Sequence, residues 1–110
     1  QEHLGDLEGL SFMPLHENER ANCWLSVIQL APDCKVRPLD MIVALEKEDI
    51  ETRPVWKPMH MQPVFADCDY IDNGKVGESL FENGVCLPSD TKMTDEDLKR
   101  ICTIIRGLWK

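Results

Sequence analysis

Three prolines within fifteen residues constrain the middle of this chain more than any other feature. Residues 51–65 read Glu-Thr-Arg-Pro-Val-Trp-Lys-Pro-Met-His-Met-Gln-Pro-Val-Phe. Each proline fixes its own φ, lacks a backbone donor and pushes the preceding residue toward extended conformations. Neither a long helix nor a central strand is therefore expected to run through Pro54, Pro58 and Pro63. We predict that this proline-rich segment (residues 51–65) is stiff, irregular and extended, and rigid loops of this composition often carry binding functions.

Length and composition are typical of one soluble globular domain. The chain has 110 residues, of which 43% are hydrophobic and 29% charged. A domain of this size buries roughly two-thirds of the surface that its unfolded chain exposes. No apolar run approaches the roughly 20 residues of a membrane helix, and no signal-peptide core is visible. Because the chain does not begin with Met, we expect residues 1–110 to form a single domain excised from a longer protein.

Charge and cysteine content narrow the class of protein further. The formal net charge is −8, with 20 acidic and 12 basic residues, which disfavours nucleic acid as a partner because its phosphates are bound by basic patches. The five cysteines are odd in number and widely spaced, without a Cys-x-x-Cys pair. This pattern favours reduced thiols in a cytoplasmic protein over a disulfide framework or a zinc site. Cys86 and Cys102 lie among apolar residues and are interpreted as part of the core.

Short strands and helices are predicted to alternate around the proline-rich segment. The apolar run at 24–30 is bounded by Asn22 and Pro32 and is predicted to be a central strand. Further strands are predicted at 50–56 and 85–87, and helices at 38–49 and 74–83, the second with a left-handed stop at Asn83 and Gly84. Residues 1–10 are interpreted as the end of a helix that stops at Gly9, and residues 11–21 as a polar loop.

The last helix has the most specific signal at its start. Thr94 is a good N-cap, and Asp97 occupies the position of the reciprocal capping carboxylate. Apolar side chains then recur at helical spacing, at Leu98, Ile101, Cys102, Ile105 and Leu108. With the predicted strands, these helices indicate an α+β fold: a small antiparallel sheet of about three strands with helices packed on one face.

Four side chains of the proline-rich segment are candidates for ligand binding. Arg53 and Lys57 have the charge for an anion such as a phosphate, and the guanidinium offers a bidentate fork. Trp56 is able to stack on a base or a sugar ring, although a tryptophan between prolines is as often a hydrophobic plug. His60 is either a titratable ligand contact or an ordinary loop histidine.

Other chemical motifs are missing or weak. Three aspartates in residues 66–73 suggest calcium, but the loop lacks the glycine and terminal glutamate of an EF-hand, which favours a solvated loop. The sequence has no Walker phosphate loop, no Gly-x-Ser-x-Gly elbow and no histidine pair at metal-ligand spacing. Spacing alone therefore indicates an α+β domain with one binding loop and no metal site.

Three blocks of the sequence, in order and in register, resemble the C-terminal part of the DegT/DnrJ/EryC1/StrS family. Residues 52–65 of the proline-rich segment are similar to that family's signature, and Asn22-Cys-Trp-Leu-Ser26 is similar to its Asn-x-Trp-Leu-[Ser/Thr] block. The third block is Ser-Leu-Phe-Glu-Asn-Gly-Val-Cys-Leu-Pro-Ser, residues 79–89, followed by residues 93–97 at the start of the capped last helix. The resemblance extends from about residue 4 to residue 108.

The resemblance implies a pyridoxal-phosphate-dependent aminotransferase of fold type I that acts on nucleotide-linked keto-sugars. It implies that this chain is the C-terminal small domain, and that the internal-aldimine lysine and most phosphate-binding groups belong to an N-terminal domain outside it. No lysine of the chain lies in the family's Schiff-base context, so residues 1–110 are expected to be inactive alone and to bind no cofactor. By position, the resemblance places Arg53, Trp56, Lys57 and His60 near the sugar substrate.

The resemblance also implies partners for the intact enzyme. These are the nucleotide-sugar, an amino donor that is commonly glutamate, the protein's own N-terminal domain and a second copy in a homodimer. Neither nucleic acid nor a membrane is expected to be a partner. Two other readings stay open: a stand-alone carbohydrate- or nucleotide-binding module without catalysis, and a structural domain that supports dimerisation.

Overall fold

A four-stranded antiparallel sheet forms the centre of the fold. The computed structural model describes residues 2–110, and its strand order is β1-β2-β4-β3. The strands are β1 (Leu10–Phe12), β2 (Ser26–Leu30), β3 (Arg53–Pro54) and β4 (Gly84–Leu87). The helices are α1 (Pro38–Glu46), α2 (Val76–Asn83) and α3 (Asp95–Gly107). The predicted α+β class with a small antiparallel sheet is confirmed, with four strands where about three were expected.

One face of the sheet forms the core with α1 and α3. Ile28 of β2 pairs with Val85 of β4, and both side chains are fully buried. Met41 and Leu45 of α1 and Ile105 of α3 are also fully buried in the same apolar cluster. At about 25 cal/mol per Å² of apolar surface removed from water, this cluster is the main source of stability. We call α1, α3 and the sheet face beneath them the helical core.

The remaining helix, α2, lies against the opposite face of the sheet. Gln29 pairs with Gly84, and both are one residue away from the core pair, so they point to the other side of the sheet. The Gln29 side chain donates a hydrogen bond to the Leu80 carbonyl of α2, at 3.2 Å. The prediction that helices pack on one face therefore describes α1 and α3, whereas α2 contacts the second face.

Gly84 follows the last residue of α2 and is the first residue of β4, so the predicted end of the helix at Asn83 and Gly84 is confirmed. Its φ of −99° and ψ of 146° are extended, so the predicted left-handed conformation is wrong. The glycine is required for a different reason. A Cβ at this position would lie 2.4 Å from the Leu80 carbonyl oxygen and 2.5 Å from both Gln29 Nε2 and Val55 Cγ2. Only the absence of a side chain lets α2, β2 and the proline-rich segment meet here.

The ends of α1 and α3 follow from their local sequence. Thr94 Oγ1 accepts from the Asp97 N–H at 3.2 Å, and the Asp97 carboxylate accepts from the Thr94 N–H at 2.9 Å, so the predicted capping box is confirmed. The bonds that the Asp97 carboxylate accepts from the Thr94 N–H and, at 2.7 Å, from the Thr94 hydroxyl lower the pKa of Asp97. The helix α1 ends at Glu46, three residues before the predicted end. Asp49, at the predicted end, is left-handed, with φ of 58°. The Ile50 N–H donates to the Leu45 carbonyl at 3.0 Å, as in a Schellman motif.

The N-terminal residues differ most from the prediction. Residues 2–9 form turns and not the end of a helix, although Gly9 is left-handed at φ of 78°. An unpredicted strand, β1, follows at once and pairs with β2. Arg106 holds the turns of residues 2–9 against α3. Its guanidinium donates to the Asp6 carboxylate at 2.6 and 2.7 Å and to the His3 carbonyl at 2.8 Å. Gln1 lies outside the described residues.

The proline-rich segment is irregular, as predicted. Its only strand residues are Arg53 and Pro54, at the sheet edge, so the strand predicted at 50–56 shrinks to two residues. Two single-turn 3₁₀ helices follow, at Met59–Met61 and Pro63–Phe65. Within residues 2–110, no helix is long and apolar enough to cross a membrane.

Candidate functional site

A cleft of about 980 Å³ opens beside the edge strand β3, which lies within the first residues of the proline-rich segment. Its walls come from four parts of the chain: the residues before β2, the residues from Asp49 to Trp56, the end of β4, and the first turns of α3. This volume lies at the upper end of the range of small-molecule sites. Its lining combines two tryptophans, three cations and four carboxylates: Trp24, Trp56, Arg53, Lys92, Arg100, Asp49, Glu51, Asp90 and Asp97.

Two tryptophans form the aromatic wall of the cleft. The ring centroids of Trp24 and Trp56 are 5.9 Å apart and the rings are tilted by 41°, a favourable geometry for an aromatic pair. Even so, 68% of Trp24 and 64% of Trp56 remain exposed. The Asn22 side chain accepts a hydrogen bond from the Trp24 N–H at 3.1 Å and thereby fixes the backbone. Exposed, paired tryptophans of this kind offer aromatic surface to a ring-shaped or apolar ligand.

The cations of the cleft are mostly paired within the chain. Arg53 Nε donates to Glu51 Oε1 at 2.7 Å, and both side chains are more than 70% exposed. Arg100 donates to the carboxylate and to the carbonyl of Glu48, at 3.0 and 2.9 Å. A ligand phosphate would have to compete with these carboxylates. Because an exposed ion pair contributes only about 0–1 kcal/mol, such an exchange is energetically easy.

His60 does not line the cleft and lies in a different environment, against α2 and Tyr70. Its Nε2 is 2.9 Å from Glu78 Oε1 of α2, and its ring stacks on Tyr70 with centroids 3.6 Å apart and planes 12° apart. The side chains of His60 and Glu78 are only 20% and 19% exposed. His60 is therefore an ordered, half-buried histidine and not a freely moving loop side chain.

The four predicted site residues divide into two groups. Arg53 and Trp56 line the cleft, whereas His60 stacks on Tyr70 and bonds to α2. Lys57 is exposed between them, and its carbonyl accepts from Gln62 Nε2 at 3.1 Å. The roles of these residues toward a substrate stay predictions.

Sequence reasoning missed the partners of these residues. Glu78 and Tyr70 lie 18 and 10 positions from His60, and no local spacing rule connects them. The sequence predicts Trp24 as a strand residue, whereas β2 begins at Ser26, and the proximity of Trp24 to Trp56 depends on the pairing of β2, β4 and β3. Only a residue-contact signal between distant positions could have revealed either group.

The described residues do not form a metal or cofactor site by themselves. No group of three or more His, Cys, Asp or Glu side chains in residues 2–110 could hold a metal ion. A lysine that forms a Schiff base is usually desolvated in a pocket or placed next to another cation. All lysines of this chain are exposed, so the residues present do not fit pyridoxal phosphate on their own.

Comparison with known proteins gives a consistent result. The model of the DegT/DnrJ/EryC1/StrS aminotransferase family matches residues 1–106. A Bacillus subtilis protein named as a pyridoxal phosphate-dependent aminotransferase, EpsN, is 38% identical over 109 residues, which are 96% of this chain and 28% of that protein. A GDP-perosamine synthase of Vibrio cholerae is 28% identical over 103 residues, 89% of this chain and 28% of that one. This chain thus spans a little over a quarter of these relatives.

Solved structures share the fold at low sequence identity. A DegT/DnrJ/EryC1/StrS aminotransferase from Brucella abortus superposes with a TM-score of 0.79 at 22% identity, over 98% of this chain and 28% of that one. A GDP-4-keto-6-deoxymannose-3-dehydratase with a trapped PLP-glutamate geminal diamine superposes with a TM-score of 0.70 at 19% identity, over 99% and 28%. The same fold therefore occurs in proteins named for two different reactions, amino transfer and dehydration.

Proposed function

The chain belongs to the DegT/DnrJ/EryC1/StrS aminotransferase family, and we propose on that premise that the whole protein is a pyridoxal-phosphate-dependent aminotransferase. Its substrate class is a nucleotide-linked keto-sugar, its amino donor is glutamate, and its product enters polysaccharide or glycan biosynthesis. The observation that carries the proposal is the family match over residues 1–106. The names of the relatives, a GDP-perosamine synthase among them, support a sugar as the substrate.

In this proposal residues 1–110 are the small domain that binds the sugar side of the substrate. Trp56 and Trp24 stack against the sugar or the base, because their ring faces are exposed. Arg53 exchanges Glu51 for a phosphate oxygen, and Lys57 adds a second positive charge. His60 hydrogen-bonds the sugar. The domain contributes orientation of the substrate and exclusion of water, while the cofactor lysine lies in the part of the protein outside this chain.

The proposal extends to the assembly and location of the whole protein. We place the enzyme in the cytoplasm, which is supported by its five free cysteines, since disulfides are rare in that compartment. We propose that the full-length protein is a homodimer, and that the small domain alone is a monomer or a weak dimer. Light scattering of both proteins at equal concentration tests this difference.

Adduct mapping tests the cofactor part of the proposal. The full-length protein and the 110-residue chain are each mixed with pyridoxal phosphate, reduced with borohydride and digested for mass spectrometry. We expect a single stoichiometric adduct on a lysine outside this chain, and only scattered, substoichiometric adducts on the 110-residue chain because its lysines are all exposed. A full-length protein without a specific adduct would contradict the proposal.

A second function has one observation in its favour. The cleft with its exposed tryptophan pair exists within the chain itself, as a carbohydrate- or nucleotide-binding module without catalysis would require. Titration of the chain with UDP-glucose and GDP-mannose, followed by tryptophan fluorescence, separates the two. Saturable binding that Trp56→Ala abolishes, together with no adduct in the full-length protein, favours the module.

A further inference from the structure

The Glu78 side chain has a single hydrogen-bonding partner among residues 2–110, and that partner is His60. Its Oε1 lies 2.9 Å from His60 Nε2, while its Oε2 is buried and has no partner in the described chain. A buried carboxylate oxygen without a hydrogen bond costs free energy. Stability alone is therefore a poor reason for a glutamate at this position, and the contact with His60 needs another explanation.

The contact determines which nitrogen of His60 carries the proton. An ionised carboxylate only accepts hydrogen bonds, so a proton must lie on Nε2. In a neutral imidazole this leaves Nδ1 unprotonated and able to accept. The hydrogen-bond network thus assigns the Nε2–H tautomer, and the ring nitrogen that faces away from Glu78 is an acceptor.

Two further contacts restrict the movement of the ring. Tyr70 stacks on the imidazole at 3.6 Å, so a ring flip requires the two rings to separate. The helix that carries Glu78 also packs against the proline-rich segment. A Cβ at Gly77, the residue before Glu78, would lie 3.5 Å from the ring of Pro58, which is ordinary contact distance. Glu78 and His60 are therefore held in register by backbone packing as well as by their own bond.

We propose that Glu78 is a positioning residue that holds His60 in the Nε2–H tautomer, so that Nδ1 accepts a hydrogen bond from a hydroxyl group of the sugar substrate. The inference rests on the proposed function, because it takes His60 as a substrate contact. A carboxylate that orients a histidine in this way is a recurring arrangement in enzyme sites. Tyr70 supports the same ring orientation by stacking.

A double-mutant cycle in the full-length protein tests the coupling. His60→Ala, Glu78→Ala and the double variant are assayed with L-glutamate and GDP- and UDP-linked 4-keto-6-deoxyhexoses. If Glu78 acts only through His60, each single variant lowers kcat/KM about 10-fold or more, and the double variant is no worse than His60→Ala. Glu78→Gln keeps an acceptor oxygen for Nε2–H and is expected to recover most of the loss.

A tautomer measurement in the 110-residue chain gives a readout that does not depend on turnover. Ring ¹⁵N shifts of labelled His60 are expected to report the Nε2–H form in the wild type and in Glu78→Gln, and a mixture of tautomers in Glu78→Ala. Ser79→Ala, an exposed neighbour on the same helix, is the matched control and leaves both the shifts and kcat/KM unchanged. Circular dichroism verifies that each variant is folded.

The outcomes separate this inference from the proposed function. A His60→Ala enzyme that is impaired while Glu78→Ala is normal would overturn the role of Glu78 and leave the function intact. Losses that multiply in the double variant would overturn it as well, because the two residues would then act independently. A wild-type kcat/KM for His60→Ala would show that His60 does not contact the substrate, and would overturn the inference. The aminotransferase proposal is tested separately, by adduct mapping. If no keto-sugar of the panel is turned over, unchanged tautomer populations in Glu78→Ala overturn the inference.

Discussion

The helical core and the proline-rich segment are built by different physical means. In the helical core, Leu45, Val85 and Ile105 are completely removed from water, and burial of apolar surface stabilises the fold. In the proline-rich segment, 64% of Trp56 is exposed, and order comes from fixed proline φ angles, the hydrogen bond between His60 and Glu78 of α2, and the close approach of Val55 to Gly84. The comparison shows that the proline-rich segment is ordered although much of its surface stays exposed to solvent. A binding surface requires both properties.

The largest expected effect is in the helical core. Leu45→Ala is expected to lower the free energy of unfolding by about 2–5 kcal/mol, because it removes a fully buried side chain and leaves a cavity. Leu39→Ala on the same helix α1 is the matched control. Leu39 is 67% exposed, so its loss should stay within about 0.5 kcal/mol. Urea unfolding followed by circular dichroism measures both. Equal losses would mean that α1 does not pack as described.

The next effect is at the junction of the two regions. Gly84→Ala is expected to destabilise the protein by about 1–3 kcal/mol, since its Cβ would clash with a carbonyl oxygen that cannot move independently of α2. Gly107→Ala, in α3, meets nothing within 4 Å and should be neutral or stabilising by up to about 1 kcal/mol. Thermal unfolding of the two variants compares them. A tolerated alanine at position 84 would show that α2 and the proline-rich segment are loosely attached.

A smaller effect is expected in the proline-rich segment itself. Trp56→Ala removes the contact with Trp24, and aromatic pairs contribute about 0.5–1.5 kcal/mol beyond area burial. We expect a loss of no more than about 1.5 kcal/mol in urea unfolding, with Val64→Ala, at 77% exposure, as a neutral control in the same segment. A loss as large as that of Leu45→Ala would erase the distinction between the two regions.

The smallest effect concerns an exposed ion pair at the rim of the helical core. The hydrogen bond from Arg106 lowers the pKa of Asp6 from 3.8 to about 2. Because the folded-state pKa is depressed, the pair contributes its stability above about pH 4 and loses it as the pH falls through 2. Asp6→Asn should therefore narrow the gap between urea midpoints measured at pH 5 and at about pH 2. The capped Asp97, whose pKa is also lowered, titrates in both proteins and cancels in the comparison. An unchanged gap would contradict the ion pair.

Local chemistry made several elements predictable. The capping box of α3 is complete within four residues, from Thr94 to Asp97, and the central strand is marked by a short apolar run. The irregular course of the proline-rich segment follows from proline geometry alone. The family, too, was recognisable from three short blocks of sequence, because each block is local and their order is fixed by the chain.

Other features depend on residues that are far apart in sequence. β1 has only three residues and is a strand because it pairs with β2. Gly84 is extended because it pairs with Gln29, and it is a glycine because three elements converge on it. The contacts of His60 with Glu78 and of Trp56 with Trp24 join positions 18 and 32 residues apart. The sequence by itself determined the class of fold, the helix start and the stiff segment, since their causes lie within one or two turns of chain. Only the tertiary structure decided which side chains meet at the candidate site, because strand pairing and helix packing bring them together.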